Sequence, residues 1–440
     1  MPDHARSTDP AVQRQLDRLS YLSPGADVLG LSRITELLKR VGNPQDGLPP
    51  VFHVAGTNGK GSTCAYLRAA LEAAGHRVHV YSSPHLVRFN ERIRVAGTLI
   101  DDAVLAPLLE EVLDIGGDIG ASFFEVTTAV AFLAFARTPA DACVIEVGLG
   151  GRLDATNILR DPAACGIAQL GIDHQAFLGD TILDIAGEKA GIAKPGRPIA
   201  ISRYEEDVRA KVRAVAEAAG ARVLEAEADW SFEARDDRLH YRDARGELVT
   251  HFPFLPGEHQ HANLALALAM LRSQDRVPVP ECAQLQAPLS ARWPARMQRL
   301  SPGPLTNLLP EGSEVWLDGG HNPAAAGAVS SALAERARGR RVRLVLGMLA
   351  NKDATGLLAP FVPLAESLTA VPTPGHEHHL PETLAGIARD LGIAAVDAAA
   401  DVKDALRKIG EQAEGPQLVQ ILGSLYLAGT VLAANDELPD

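Results

Sequence analysis

The sequence has 440 residues, of which 46% are apolar, 22% charged and 5% aromatic, and this composition is typical of a globular α/β enzyme rather than a disordered or fibrous chain. The 42 basic and 55 acidic residues give a formal net charge of −13, which disfavours general binding to nucleic acid. No apolar stretch reaches the ~20 residues of a membrane-spanning helix. Residues 1–10 lack a signal-peptide core and the four cysteines lack CxxC spacing, so we expect a reduced, cytoplasmic protein with no membrane partner.

The first part of the chain alternates predicted helices and strands. Apolar periodicity places helices at 11–20, 31–41, 62–74, 126–137 and 182–192, and strands at 51–55, 78–81, 142–147 and 165–172. Gly75 ends the third helix, where a left-handed residue is commonly needed. The alternation predicts an α/β fold in which helices cover both faces of a mainly parallel sheet.

The pattern changes after residue 222. Short alternating runs at 230–234, 239–242 and 248–252 predict an antiparallel edge on the first domain, and a helix is predicted at 263–271. The Pro/Gly-rich stretch 301–304 is the predicted linker. A second set follows, with strands at 314–317, 342–347, 368–371 and 418–423 and a helix at 324–338. We therefore predict a first domain over 1–300 and a smaller Rossmann-like α/β domain over 301–440.

A glycine-rich loop between the strand at 51–55 and the next helix is the strongest local signal for chemistry. It reads Gly56-Thr57-Asn58-Gly59-Lys60-Gly61-Ser62. Glycines let backbone N–H groups converge on a phosphate at a helix N-terminus, and the lysine can reach terminal phosphates. The spacing departs from the usual P-loop, because Gly61 stands between Lys60 and Ser62. The loop predicts a nucleotide-binding domain.

Acidic and imidazole side chains follow two further predicted strands. Glu146 lies at the end of one, and Asp173 and His174 follow another. Ligands of open α/β sheets bind beyond the carboxyl ends of the strands, so these groups can converge on the phosphate loop. Magnesium suits such hard oxygen donors better than zinc does. From spacing alone, a buried hydrogen-bonded Glu or a capping Asp is as good an interpretation.

Two histidine groups invite a functional interpretation that we do not favour, a metal site for the first group and a catalytic role for the second. They are His376, His378 and His379, with Glu377, in a predicted loop, and His259 and His261 at a predicted helix start. The first group is better interpreted as a solvated or substrate-lining surface. The second is better interpreted as capping or packing.

Six segments, in this order along the chain, carry a family resemblance. They are Gly56–Ser62, Ser82–Leu86, Phe124–Glu125, Gly148–Asn157, Glu188–Ile192 and Asp318–Pro323. They resemble the motif series of folylpolyglutamate synthase and dihydrofolate synthase, a family of the Mur ligase superfamily. The resemblance implies the Mur ligase type of fold, with an N-terminal P-loop domain and a smaller C-terminal α/β domain.

The resemblance also implies an activity. Members are ATP-dependent carbon–nitrogen ligases of folate biosynthesis and one-carbon metabolism, which add L-glutamate to dihydropteroate and/or reduced folates. ATP phosphorylates the acceptor carboxylate, and the glutamate amine attacks the acyl phosphate. We accordingly expect a monomer that uses ATP as co-substrate and Mg²⁺, with two ions bound.

Nucleotide and metal contacts carry over by resemblance to individual residues. ATP would be bound by Asn58, Gly59, Lys60, Gly61, Ser62, Asn263, Arg296, Asp318 and His321. Mg²⁺ would be bound by Ser83, Glu146 and His174. Lys60, His174 and Lys189 would be the catalytic residues. Asn263 should face the adenine, and Arg296 the γ-phosphate, although the family usually has Gly where Ala295 stands.

The substrate contacts implied by the resemblance lie in three places. Asp27 and Gly30 belong to a segment like the family's pterin loop, with the acid one residue earlier. Phe124 offers a flat face to a pterin ring. Arg152 and Asp154 could bind polar groups of the substrate, but core packing or a fixed surface ion pair explains them equally well.

Lys189 raises a separate question, because a bare ammonium next to magnesium would be repelled. Several members of the resembling family carbamylate this lysine, which then supports a second magnesium. We predict the same carbamate here. The alternative is an ordinary salt bridge from Lys189 to Glu188 or Glu146.

Two other functions remain as alternatives. One is a Mur-type ligase acting on a cell-wall precursor, which the Phe124-Glu125 segment and the compact N-terminus argue against. The other is a nucleotide-binding regulatory module that uses its P-loop as a switch. The sequence lacks an Asn-Lys-x-Asp guanine-reading motif, which weakens this second alternative.

Overall fold

Two separate units, each built on its own parallel sheet, make up the chain. The computed structural model describes residues 5–22 and 28–440. The first unit contains the described residues up to Phe254 together with Gln260–Arg292, and the second contains Leu255–His259 and Trp293–Asp440.

The first unit contains most of the helices. They are α1 (Pro10–Leu22), α2 (Ser32–Arg40), α3 (Lys60–Ala73), α4 (Asp102–Gly116), α5 (Phe123–Arg137), α6 (Gln175–Leu178), α7 (Ile182–Ala190), α8 (Glu206–Ala218), α9 (His259–Arg272, whose first residue is assigned to the second unit) and α10 (Glu281–Ser290).

Its strands form a large sheet and a small one. The large sheet contains β1 (Val51–Ala55), β2 (Val78–Tyr81), β3 (Ile93–Val95), β4 (Thr98–Leu99), β5 (Ala142–Glu146), β6 (Ala164–Ile167), β7 (Pro198–Ile201) and β8 (Arg222–Glu225) in the order β4-β3-β2-β5-β1-β6-β7-β8. Only β3 and β4 run antiparallel to their neighbours. The small sheet contains β9 (Trp230–Arg235), β10 (Arg238–Asp243) and β11 (Gly246–His251).

Strand β1 is central in the large sheet, between β5 and β6, and all five of its residues are buried. Helices cover both faces, which explains why its sequence is a continuous apolar run interrupted only by His53. On one side α1, α2, α4 and α5 bury residues such as Leu16 and Leu109 against the sheet. On the other, α7 and α8 bury residues such as Ile185 and Val212. Parallel pairing brings the carboxyl ends of β1, β2, β5 and β6 to one edge.

The region after residue 222 differs in part from the expectation. Arg222–Glu225 is the last parallel strand of the large sheet. The three alternating runs form β9, β10 and β11, which pair with each other as an antiparallel meander rather than with an edge of the large sheet. Alternation of polar and apolar residues therefore identified the strands but not their partners.

The second unit is a six-stranded sheet with helices. Its strands are β12 (Gln298–Arg299), β13 (Glu314–Leu317), β14 (Val342–Leu346), β15 (Ala365–Ala370), β16 (Ala395–Ala398) and β17 (Leu418–Leu422), in the order β12-β13-β17-β14-β15-β16. Its helices are α11 (Pro323–Ala337), α12 (Ala354–Leu358), α13 (Pro381–Asp390), α14 (Val402–Gln412) and α15 (Leu425–Ala434). Only β12 is antiparallel to its neighbour.

The boundary between the units differs from the predicted linker at 301–304. The second unit begins at Trp293, because β12 pairs with β13 and Met297 is buried in the core of that unit. Residues 293–300 thus belong to the second unit. Within the described ranges, every helix is too short or too polar to cross a membrane.

Candidate active site

The phosphate-loop candidate connects the carboxyl end of β1 to the start of α3. Gly59 has φ +82°, a left-handed conformation that glycine adopts without strain, and it directly precedes the helix. The backbone N–H groups of Thr57 and Asn58 donate to the carbonyl oxygen of Gln169 at 2.8 and 3.1 Å. The Thr57 hydroxyl donates to the Gly171 carbonyl oxygen at 3.0 Å. The segment that follows β6 therefore fixes the loop.

Two side chains of this loop and helix are suited to an anion. Lys60 is the first residue of α3 and is half-buried, and its ammonium donates to the Thr57 carbonyl oxygen at 3.3 Å. The Ser62 hydroxyl is buried and has no hydrogen-bond partner among the described residues. Free backbone N–H groups at a helix start, a lysine and an unsatisfied hydroxyl together form a phosphate-binding arrangement.

Asn263 of α9 lies against the loop. This position agrees with the prediction that the loop and Asn263 bind the same nucleotide. A Cβ added to Gly59 would lie 2.3 Å from Asn263 Oδ1, so a side chain at position 59 would collide with it. Asn263 is buried, and its amide donates to Gln260 Oε1 at 3.1 Å. The structure thus joins two predicted nucleotide residues that are far apart in the sequence.

Glu146 and Ser83 meet at the ends of neighbouring strands. Glu146 ends β5 and is 4% exposed, and Ser83 follows β2. The Ser83 backbone N–H donates to Glu146 Oε2 at 3.4 Å. Burial and then the Glu146 carboxylate raise the pKa of the Cys64 thiol well above its ordinary value, against the opposing effect of Lys60. This α3 residue is therefore electrostatically coupled to both Glu146 and Lys60. A carboxylate and a hydroxyl are oxygen donors of the type that magnesium prefers.

Lys189, in α7, is 4% exposed. Burial and then the positive charge of Lys60 lower its pKa to about 7, against the opposing effects of Asp173 and Asp154. Glu188, one of the two partners considered for a salt bridge, pairs with Arg152 instead, at 2.7 Å.

His174 occupies a different environment from Glu146. It is exposed, has φ +54° and directly precedes α6. Its neighbour Asp173 is half-buried and contributes to the electrostatics of Lys189. The described part of the chain contains no group of three His, Cys, Asp or Glu side chains placed to hold a metal. The proposed magnesium ligands therefore depend on serine and on a modified lysine as well as on Glu146 and His174.

The substrate-side candidates have distinct surroundings. Phe124 is half-buried beside Gly148, where an added Cβ would lie 2.4 Å from its ring. Arg152 is held by Glu188, which is the fixed surface ion pair considered above. Asp154 is buried and accepts hydrogen bonds from the backbone of Leu149 and from Thr156. Burial raises the pKa of Asp154.

The predicted pterin segment is described only in part. Asp27 lies outside the described residues. Gly30 has no atom within 4 Å of an added Cβ and does not have the positive φ that would favour glycine. Neither packing nor backbone conformation therefore requires glycine at position 30.

Three predicted nucleotide residues gather in the second unit. Asp318 follows β13, is 4% exposed and accepts from the backbone N–H groups of Met297 at 2.8 Å and Gly320 at 2.7 Å. Burial raises the pKa of Asp318, against the opposing charges of Arg296 and His321. His321 Nδ1 donates to the Gly319 carbonyl oxygen at 3.0 Å.

Ala295, the departure from the family pattern, has φ +53°. This left-handed conformation is disfavoured for a residue with a Cβ, which gives a physical reason for the family's glycine. The Ala295 carbonyl oxygen nevertheless accepts a hydrogen bond from the Gly319 N–H at 3.0 Å.

The two histidine groups make local contacts. His376 stacks on Tyr426 with ring centroids 3.7 Å apart, and His379 Nε2 lies 2.9 Å from the Lys352 carbonyl oxygen. His261 stacks on Phe252, and His259 is the first residue of α9. These contacts agree with the packing interpretation of the second group.

Sequence reasoning missed a buried chain of hydrogen bonds that runs from His53 through Thr156 to Asp154. His53 in β1 is fully buried, and its Nε2 lies 2.9 Å from the Thr156 hydroxyl, which in turn donates to Asp154. His53 Nε2 is thus the donor, and the unprotonated Nδ1 has no partner in the described structure. Only the single polar position within an apolar strand could have signalled it.

Comparison with known proteins supplies the remaining evidence. Residues 54–271 match the Mur ligase middle domain, and residues 296–425 match the glutamate ligase domain of Mur ligases. The dihydrofolate synthase/folylpolyglutamate synthase of Escherichia coli (strain K12) is 37% identical over 332 residues, which is 75% of this chain and 74% of that protein.

Solved structures are similar over nearly the whole chain. The structure of Escherichia coli FolC in complex with DHPP and ADP has a TM-score of 0.87 at 32% identity and covers 98% of both chains. The structure of the bifunctional folylpolyglutamate synthase/dihydrofolate synthase of Yersinia pestis, with AMPPNP and Mn ion, has a TM-score of 0.85 at 32% identity and covers 97% of this chain and 99% of that one.

Proposed function

The chain belongs to the folylpolyglutamate synthase/dihydrofolate synthase family of Mur ligases, and we infer from this membership how its own residues perform the family reaction. The protein is an ATP-dependent ligase that adds L-glutamate to dihydropteroate and/or to reduced folates. A dihydrofolate synthase/folylpolyglutamate synthase matches 75% of this chain, which argues against both the cell-wall ligase and the regulatory module.

The chemistry starts from an unreactive group, because a carboxylate is a poor electrophile. Transfer of the ATP γ-phosphoryl group to the acceptor carboxylate gives an acyl phosphate and ADP. The glutamate nitrogen then forms the amide bond as the carbon–oxygen bond to phosphate breaks, and the amine loses a proton. Such catalysis consists mainly of positioning and charge neutralisation.

The observation that most strongly supports these residue roles is the contact of Asn263 with the Gly59 loop. It joins the phosphate loop to a helix that is distant in sequence and leaves room for nothing larger than glycine. In our proposal Asn58, Gly59, Gly61 and Ser62 bind the phosphates. Gly59, Gly61 and Ser62 do so through backbone N–H groups, and Ser62 also through its unsatisfied hydroxyl.

Lys60 neutralises negative charge on the terminal phosphates. Asn263 faces the adenine. Arg296, Asp318 and His321, in the second unit, remain predicted nucleotide residues, and Asp318 is fixed by two backbone N–H groups.

Magnesium fits the oxygen donors of the first unit. Ser83 and Glu146 would hold it, with His174 and a carbamylated Lys189 as further ligands and two ions as the proposed number. Bound magnesium supplies positive charge that offsets the phosphate charges. The titrating amine of Lys189 supports carbamylation, because only the neutral amine reacts with carbon dioxide.

The acceptor side is proposed to comprise Asp27, Gly30 and Phe124. The absence of any local requirement for glycine at position 30 is consistent with close approach of a ligand to that backbone. Arg152 and Asp154 remain predicted substrate residues, although their hydrogen bonds also give each a structural role. We further propose that the enzyme is a cytoplasmic monomer.

Glutamate-dependent release of phosphate from ATP tests the proposed function. Dihydropteroate, tetrahydrofolate and a nucleotide-linked muramyl acceptor are compared at equal concentrations, each with and without L-glutamate. We expect turnover with one or both pterin acceptors. Turnover with the muramyl acceptor alone, or phosphate release that is independent of any acceptor, would contradict the assignment.

A further inference from the structure

A partly buried ion pair, to which the proposed function assigns no role, connects the N-terminal ends of two helices. Arg33 lies in the first turn of α2, and Glu125 in the first turn of α5. Arg33 Nε donates to Glu125 Oε2 at 3.0 Å, and the two side chains are 25% and 5% exposed. The pair is far less exposed than a typical surface salt bridge.

Arg33 is at a position that its own helix does not favour. The N-terminus of a helix carries partial positive charge, so a cation in the first turn is locally destabilising. The residue before α2, Leu31, supplies no side-chain cap. A tertiary contact must therefore account for this arginine, and Glu125 provides it.

Glu125 already has a local role that fixes its carboxylate. Oε2 accepts the Ser122 backbone N–H at 2.7 Å, and the Ser122 hydroxyl accepts the Glu125 N–H in return. This capping box sets the first turn of α5, which also carries Phe124. Glu125 Oε1 is buried and without a partner among the described residues, so Arg33 is the cation that compensates this carboxylate.

The same guanidinium also holds the chain that leads into α2. A second nitrogen of Arg33, Nη2, donates to the Val28 carbonyl oxygen. One planar group thus joins the segment Val28–Leu31 to the start of α5, which a lysine with a single ammonium could not do in the same geometry. Gly30, which faces open space, lies in that segment.

We propose that Arg33 and Glu125 are positioning residues that hold Val28–Leu31 beside Phe124, and so determine the affinity of the enzyme for the pterin end of its acceptor. The inference rests on the proposed function, because that function places a pterin-bearing acid at Gly30 and Phe124. It adds the ion pair that orders the two parts of the acceptor site, the segment Val28–Leu31 and Phe124. The pair acts through the segment and through Phe124 rather than by touching the reacting atoms.

The test is a kinetic comparison of Arg33→Lys with Arg40→Lys, in the full chain. Arg40 is a matched control, because it lies in the same helix and pairs with Glu36 and Asp118 away from this segment. For Arg33→Lys we expect KM for dihydropteroate or tetrahydrofolate to rise about tenfold, with kcat within about twofold of wild type. KM for ATP and for L-glutamate should not change.

Two further variants separate positioning from folding. Glu125→Gln keeps the capping geometry and should also raise KM for the pterin acceptor. The double variant Arg33→Lys/Glu125→Gln should raise KM no further than the larger single effect, because both remove one interaction.

Equal kinetics of Arg33→Lys and Arg40→Lys, or equal increases of KM for ATP and for the pterin acceptor, would overturn the inference. Its failure is distinguishable from failure of the proposed function. A wild-type enzyme without glutamate-dependent turnover of pterin acceptors contradicts the function, whereas normal wild-type turnover with unresponsive variants contradicts only the positioning pair.

Discussion

Lys60 is the residue whose positive charge the proposed phosphoryl transfer needs most. It starts α3, and its ammonium donates a long hydrogen bond to the Thr57 carbonyl oxygen at 3.3 Å, so it can reorient towards phosphate. We expect Lys60→Ala to lower turnover by about 10²-fold or more, because a charge-assisted contact that strengthens in the transition state is lost. The melting temperature should stay near wild type. Near-normal turnover at saturating ATP would contradict the assignment of the loop.

Lys189 is expected to carry a carbamate. With a pKa of about 7, half of its amine is neutral at neutral pH and can react with carbon dioxide. Carbon-13 NMR of enzyme equilibrated with labelled bicarbonate should show a carbamate signal that Lys189→Ala abolishes. That variant should be nearly inactive and partly rescued by acetate.

Lys194→Ala provides the control for this signal, because burial also lowers the pKa of Lys194. The carbamate signal should survive in that variant. An unmodified Lys189 amine in the presence of bicarbonate and magnesium, with activity indifferent to bicarbonate depletion, would argue for the plain lysine.

His53 should make the protein acid-sensitive. Burial, and then the charge of Lys194, hold its pKa at about 3, below the ordinary 6.5. Protonation would place an N–H on Nδ1, which has no acceptor among the described residues. Because the unfolded chain binds this proton near pH 6.5, the contribution of His53 to the free energy of unfolding is fully present above that pH. That contribution falls by ~1.4 kcal/mol per pH unit as the pH decreases from there towards 3.

Denaturant unfolding between pH 7.5 and 5 measures this effect as a difference in slope. His53→Gln keeps a donor for Thr156 but cannot titrate, so its unfolding free energy should decline less steeply than that of the wild type. The exposed His251→Gln variant should keep the wild-type slope. Identical slopes for wild type and His53→Gln would contradict the prediction.

Two glycines at opposite ends of α3 allow the effect of backbone strain to be distinguished from the effect of a steric collision. Gly59 and Gly75 have φ values of +82° and +87°, but only Gly59 has a neighbour, Asn263, that an added Cβ would strike. Gly75→Ala should cost ~1 kcal/mol in unfolding free energy and leave nucleotide binding intact. Gly59→Ala should in addition weaken binding of a nonhydrolysable ATP analogue at least tenfold, measured by calorimetry. Equal nucleotide affinity in the two variants would show that the contact with Asn263 is unimportant.

Most regular elements were predicted from the sequence, and the errors follow a physical pattern. Strands β1, β2 and β13 agree with the predicted bounds because their buried apolar runs end at turn residues. The strand predicted at 165–172 ends at Ile167, because the apolar residues after it form the connection that fixes the phosphate loop. A run of apolar residues predicts that a segment is buried, but a buried segment can be a loop as well as a strand.

The boundary between the two units gives a prediction for the whole molecule. A fragment of residues 293–440 retains β12 and buried Met297, whereas a fragment of residues 301–440 loses both. We expect the shorter fragment to unfold ~5 °C or more below the longer one, measured by circular dichroism. A fragment of residues 289–440 should match 293–440, because its four extra residues belong to the other unit. Equal stability of the 301–440 and 293–440 fragments would place the boundary at the Pro/Gly-rich stretch.

The sequence by itself determined the fold class and the family and located the candidate phosphate loop, because these depend on residue types at short spacing. Tertiary structure alone decided which distant side chains meet. His53 contacts Thr156 across 103 residues, Arg33 contacts Glu125 across 92, and Arg152 takes Glu188 across 36. Strand order and helix packing bring such pairs together, and neither is encoded in the local periodicity that identifies the elements.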